Sequence, residues 1–220
     1  MPKKKNALVQ RFYAANLETR DDSEVEGRIA GRPIVLNSRT DLGPFDEIID
    51  SGALTEANLN DVRLCLNHDT SYVYARSRKN SVKNTMWIDT DTEGLKFEAD
   101  LAIKESPKAK DFYSAVKRGD IDKMSFMFSI DEEKWEDLES DHPTRHITKI
   151  GSVVEISAVT FPAYDATEIN ARSNEEALEN ARKAVETVKQ SVRSAEADDA
   201  VKQLELAKAK FNFKNRLGGN

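Results

Sequence analysis

Three polar residues stand where acid–base chemistry could be done: His68 in "VRLCLNHDTS", Ser125 in "DKMSFMFSI" and Glu155 in "SVVEISAVTFPA". An imidazole takes and returns a proton near neutral pH. A hydroxyl that gives up its proton to such a base attacks a carbonyl, and a carboxylate can hold the other ring nitrogen. Each also has a plain reading. His68, one of only three histidines in 220 residues, would be a solvated residue at a strand end. Ser125 would be an outward-facing strand serine. Glu155 would be paired with a nearby arginine or lysine, because a carboxylate within so apolar a run needs a partner.

The strands that would position these groups follow from alternation. In "DKMSFMFSI", Met124, Phe126, Phe128 and Ile130 point one way and Ser125, Met127 and Ser129 the other. No GxSxG elbow surrounds Ser125. In the third segment, simple alternation puts Glu155 on one face with Val153, Ser157, Val159 and Phe161. Cys65 is a second possible nucleophile, but an offset of three along a strand sends it and His68 to opposite faces, so it reads as a small buried apolar residue. His142 and His146 in "DHPTRHI" have the offset of a helical metal pair, yet Pro143 speaks against a helix and there is no HExxH. No CxxC pair, phosphate-binding glycine loop or dinucleotide fingerprint is present, so no cofactor and no metal are expected.

Short alternating segments dominate from Arg11 to about Pro162. "QRFYAANLE", "RPIVLN", "VRLCLN", "NTMWIDT", "GLKFEADLAI", "KMSFMFSI" and "SVVEISAVTF" make about seven strands, a number that suits a barrel or a sandwich. "SPKAKDFYSAVKRG" predicts a helix, with Ser106 as cap, Pro107 in the first turn, Ala109, Phe112, Tyr113 and Val116 on one face and Gly119 at the end. "FDEIIDSGAL" is a candidate for a second, short helix before the His68 strand.

Beyond "NARS" the composition changes. Residues 172–220 contain no proline and carry 10 basic and 8 acidic residues, against 23 and 31 in the rest. Ser173 and Glu176 form a capping box, and Leu178, Ala181, Val185, Val188, Val192 and Ala195 recur by three and four, the seam of a coiled coil; it slips at "AEADDA" and resumes at Val201 and Leu204. The expected organisation is therefore a mainly β body with flanking helices over residues 1–171 and a charged helical tail over 172–220.

The formal net charge of −6 argues against a general nucleic-acid binder. Cys65, the single cysteine, cannot form an intramolecular disulfide, and "MPKKKNALVQ" lacks the apolar core of a secretory signal. No stretch approaches the roughly 20 apolar residues of a membrane span. A cytoplasmic protein with neither nucleic acid nor membrane as partner is expected.

Four segments in order, "EGRIAGRPIVLNSRTDLGPFDEIIDSGAL", "LCLNHD", "KMSFMFSI" and "VVEISAVTFPAYDAT", resemble the prohead proteases of tailed bacteriophages, whose fold is similar to that of assemblin, the herpesvirus capsid maturation protease. The resemblance implies an assemblin-like closed or partly closed barrel of about seven strands. It implies His68 as general base, Ser125 as nucleophile and Glu155 as the acidic third member. It also implies a serine endopeptidase that cuts a capsid scaffold or the scaffolding segment of the major capsid protein, and itself, inside the immature capsid in the host cytoplasm. Self-association is expected, with the tail binding scaffold or another copy. One departure stands out: the family commonly has glycine two residues after the nucleophile, where this chain has Met127. Two other classes remain in view, a non-catalytic assembly protein retaining the fold, and a metal-dependent hydrolase using His68, His142 and His146.

Overall fold

The structure is a computed structural model. It describes residues 8–13, 17–20, 25–160 and, towards the C-terminus, 179, 182–195, 198, 202 and 203. Eleven strands are found among them: β1 Leu8–Tyr13, β2 Leu17–Thr19, β3 Arg28–Val35, β4 Arg39–Asp41, β5 Asp46–Ile49, β6 Asp61–Leu66, β7 Ala75–Arg78, β8 Met86–Asp91, β9 Gly94–Asp100, β10 Lys123–Glu136 and β11 Thr144–Val159. Each of the seven expected segments contributes strand, and "QRFYAANLE" contributes two, β1 and β2.

The organising element is β11, 16 residues long. One edge pairs antiparallel with β10 along its length. The other edge is divided, pairing in parallel with β5 through residues 144–147 and with β6 through 155–158. With β1 beyond β10, β4 beyond β5 and β7 beyond β6, this makes a seven-stranded sheet; β2, β3, β9 and β8 form a second sheet of four. Neither sheet closes on itself. The described strands thus form two open sheets rather than the barrel expected, because β2, β3, β9 and β8 pair among themselves and the free edge of β11 is already shared by two strands.

The sheets share one core. Ile29, Ile34, Leu95, Phe97 and Ala99 from the smaller sheet join Met124, Phe126, Phe128, Ile147, Ile150 and Ile156 from the larger. Burying so many large side chains, at about 1.5–3 kcal/mol each, is the main favourable term holding the layers together. The tight β8–β9 turn requires Gly94: its φ is 144°, and a Cβ there would lie 1.9 Å from the Ile34 carbonyl oxygen.

Helix α1, Pro107–Arg118, is built as its sequence predicts. The Ser106 hydroxyl accepts from the Ala109 N–H, Gly119 closes the end at φ 78°, and Ala109, Phe112 and Val116 are buried. "FDEIIDSGAL", in contrast, is not a helix. Asp46–Ile49 is strand β5, and turns follow from Ser51 to Glu56. The local pattern was ambiguous, and pairing on both edges, with β4 and β11, settles it in favour of strand.

Residues 182–195 form a second helix, α2. The supposed seam residues on it do not behave alike: Val185 is buried, Val188 half-buried, and Val192 and Ala195 exposed. Val185 packs into a small cluster with Leu42, Phe45 and Trp135 of the chain's own body, and Arg193 pairs with Glu139 at 3.1 Å. Ser173, Glu176, Leu178, Ala181, Val201 and Leu204 lie outside the described residues. Among the described residues no helix is long and apolar enough to cross a membrane.

Candidate active site

Register brings the polar residues together. Across β10 and β11, Ser125 lies opposite Ser157 and Met127 opposite Glu155. Across β11 and β6, Ser157 lies beside Cys65 and Glu155 beside Arg63. Directly opposed residues share a sheet face, so Ser125, Ser157 and Cys65 form one row across three strands, with Glu155 in the next row.

A bulge allows this. The β10–β11 register steps from Met127↔Glu155 to Phe128↔Val153, which leaves Val154 as an extra residue on β11. Val153, Ile156 and Ala158 all reach the core, and Glu155 with Ser157 faces the other way. Straight alternation, which puts Val153 and Glu155 on one face, therefore fails at this point. Bulges commonly re-aim a side chain next to a site, and this one puts a carboxylate within an apolar strand onto the polar face.

His68 arrives from a different irregularity. Strand β6 ends at Leu66, and Asn67 and His68 follow in the left-handed region at φ 51° and 59°. For residues other than glycine this conformation is uncommon and costs about 1–2 kcal/mol. Hydrogen bonds to β11 hold it. Asn67 N–H donates to the Ala158 carbonyl at 2.9 Å, the Thr160 N–H donates to Asn67 Oδ1 at 2.9 Å, and His68 N–H donates to Ser157 Oγ at 3.0 Å. The turn folds the ring back over the row of serines.

The result is a chain of three groups. His68 Nε2 is 2.7 Å from Ser125 Oγ, and His68 Nδ1 is 2.8 Å from Glu155 Oε2. The other carboxylate oxygen, Oε1, accepts from the Ser157 hydroxyl. Ser125 and Ser157 are fully buried, Glu155 is 3% exposed, and the His68 side chain is 11% exposed. In such a setting Nδ1–H donated to Glu155 leaves Nε2 as the acceptor facing the Ser125 hydroxyl.

Cys65 lies in the same row, but burial first and the Glu155 charge second push its thiol up to about 12. A thiol so held is inert as a nucleophile. Its placement differs from the argument that set it aside, since the strand stops before His68 and the offset of three no longer fixes opposite faces. His142 and His146 sit elsewhere: His142 Nε2 is 3.1 Å from Asp46, and His146 Nδ1 is 2.7 Å from Asp50. The three histidines have separate carboxylate partners, so the metal centre built from His68, His142 and His146 does not form. Asp41, Asp46 and His142 do cluster near one another, with Arg39 already paired to Asp46 at 2.6 Å. Ser157 is the residue that the reading of single residues passed over; its signal was the Glu155-x-Ser157 spacing, two groups on one strand face.

A serine, an imidazole and a carboxylate in series, on a β scaffold, is the arrangement by which serine hydrolases activate a hydroxyl. The chain belongs to the caudovirus prohead serine protease family, whose model matches residues 15–183. That family acts in phage capsid maturation. Searches of curated proteins and of solved structures return no match.

Proposed function

We propose that the protein is a serine endopeptidase in which Ser125 is the nucleophile, His68 the general base and Glu155 the acid that orients it. The observation that carries this reading is the pair of contacts on the His68 ring, 2.7 Å to Ser125 Oγ and 2.8 Å to Glu155 Oε2. As Ser125 Oγ attacks a peptide carbonyl, His68 Nε2 takes its proton and later returns it to the leaving amine; water then hydrolyses the acyl-enzyme by the same relay. Glu155 holds the tautomer and stabilises the imidazolium. Ser125 has no exposed surface, so acylation requires a local opening of the site.

Family membership supports substrates among capsid assembly proteins: a scaffold or the scaffolding segment of the major capsid protein, and the protease itself, cut inside the immature capsid in the host cell. Self-association and tail binding to scaffold belong to the same reading. Mixing the purified full-length protein with capsid precursor is the direct test. Discrete fragments that vanish with Ser125→Ala are expected. Normal cleavage by that variant removes Ser125 as the nucleophile, and a role in assembly without any proteolysis overturns the proposal in favour of a non-catalytic assembly protein.

A further inference from the structure

We infer that Ser157 is a positioning residue for this triad, one hydroxyl that sets both the acid and the base; the inference rests on the triad proposed above. Ser157 lies between two groups that must be aligned with each other. Its oxygen accepts from the His68 backbone N–H at 3.0 Å, and its hydrogen is donated to Glu155 Oε1. It is therefore engaged in both directions and has no ring nitrogen to take its proton, whereas Ser125 Oγ sits on His68 Nε2 at 2.7 Å. The two serines are neighbours across the β10–β11 pair, yet only Ser125 has the partner a nucleophile needs.

Two degrees of freedom are closed by this hydroxyl. The terminal torsion of a glutamate is broad and roughly two-fold, and anchoring Oε1 leaves Oε2 aimed at His68 Nδ1. The backbone of His68 is left-handed at φ 59°, a conformation that persists only when surrounding contacts hold it. Ser157 supplies one such contact from near the C-terminal end of β11, at a fully buried position. Because both bonds meet at one oxygen, the carboxylate and the ring are placed relative to each other rather than separately. Reactive geometry is sensitive at this scale, since a shift of about 1 Å can lower a rate by roughly 10²-fold.

The test is the phosphonylation rate of the full-length protein by a fluorophosphonate, resolved into the binding constant KI and the chemical rate kinact, with the labelled residue mapped by mass spectrometry. Wild type is expected to label at Ser125. With Ser157→Ala, kinact falls roughly 10- to 100-fold while KI is unchanged, and the label stays on Ser125. Ser157→Cys fills the site, its sulfur being somewhat larger than the oxygen it replaces, but offers only a weak S–H donor, so it stays impaired. A kinact for Ser157→Ala within about twofold of wild type overturns the inference, as does recovery of wild-type kinact in Ser157→Cys, which would assign the loss to packing. If Ser157→Ala does not fold, as judged by thermal unfolding, the cysteine variant alone decides. Absence of labelling at Ser125 in the wild type, or a label on Ser157, instead refutes the triad itself, so the two failures are distinguishable.

Discussion

Replacing Glu155 by glutamine tests the electrostatic half of the mechanism with almost no change of shape. Glu155 Oε2 is 2.8 Å from His68 Nδ1, which puts the centres of charge about 4 Å apart; at an effective dielectric near 20 the attraction between carboxylate and imidazolium is about 4 kcal/mol. Losing it from the transition state lowers the rate by about 10³-fold. A second effect overlaps with this one. The Ser157 hydroxyl accepts from His68 N–H and so must donate to position 155, which draws the glutamine oxygen to itself and turns the amide NH2 towards Nδ1. The imidazole proton then moves to Nε2, where it faces Ser125 and blocks proton transfer, the wrong-tautomer penalty known to cost roughly 10⁴ when other triads lose their acid's charge. We expect Glu155→Gln to reduce fluorophosphonate labelling of Ser125 by roughly 10³- to 10⁴-fold. Adding Ser157→Ala frees the amide to turn but also removes the bond to the His68 backbone, so the double variant is expected to lose less than the product of the two single effects. Labelling of the single variant within about tenfold of wild type would show that the charge on Glu155 does not serve His68, and the reasoning would fall.

Two further outcomes concern the scaffold. Gly94→Ala forces a Cβ to 1.9 Å from the Ile34 carbonyl oxygen at φ 144°; it is expected to destabilise the protein by about 3 kcal/mol or more, seen as a lower urea midpoint, and an unchanged midpoint contradicts the account of the β8–β9 turn. Hydrogen bonding from Arg76 lowers the Asp61 carboxyl, and hydrogen bonding from Arg32 lowers that of Asp91. Depressed carboxylates contribute stability that is present above their unfolded value, about 3.9, and that is lost as pH falls through the folded values. Urea unfolding is thus expected to show a falling midpoint from pH 4 to pH 2 and little change in this contribution above pH 5; alanine in place of both aspartates should flatten the decline, and an unaltered decline would assign it to other groups.

The parts of this molecule that obey simple periodicity were legible in its residues. Helix α1 carries its cap, its proline and its terminal glycine in the right order, and "GLKFEADLAI" alternates cleanly into β9 because one face meets the core. The resemblance points to His68, Ser125 and Glu155 as the candidate triad, and the structure places Ser125 and Glu155 each within hydrogen-bond reach of the His68 ring. Local pattern failed where partners decide. "FDEIIDSGAL" takes the strand form because β4 and β11 flank Asp46–Ile49 on its two edges, information that lies about 100 residues along the chain in Thr144–Ile147. On α2, three- and four-residue spacing could not distinguish a seam for another helix from the anchoring of Val185 between Leu42, Phe45 and Trp135.

The site itself departs from regular structure twice, and the two departures depend on each other. Without the extra residue at Val154, alternation would turn Glu155 to the face that Val153 occupies, and no carboxylate would meet the ring. Without the left-handed pair Asn67 and His68, β6 would carry the imidazole onward along the strand, away from Ser125. The left-handed pair is costly alone, and hydrogen bonds to Ser157, Ala158 and Thr160 hold it. Residues separated by 57 and 87 positions converge on one ring because a single strand, β11, supplies Glu155, pairs with the strand of Ser125 and anchors the turn of His68. Rigidity of β11 is therefore the condition on which the geometry rests. A substitution that loosens residues 155–158 should impair Ser125 reactivity directly, because those residues pair with both neighbouring strands of the site.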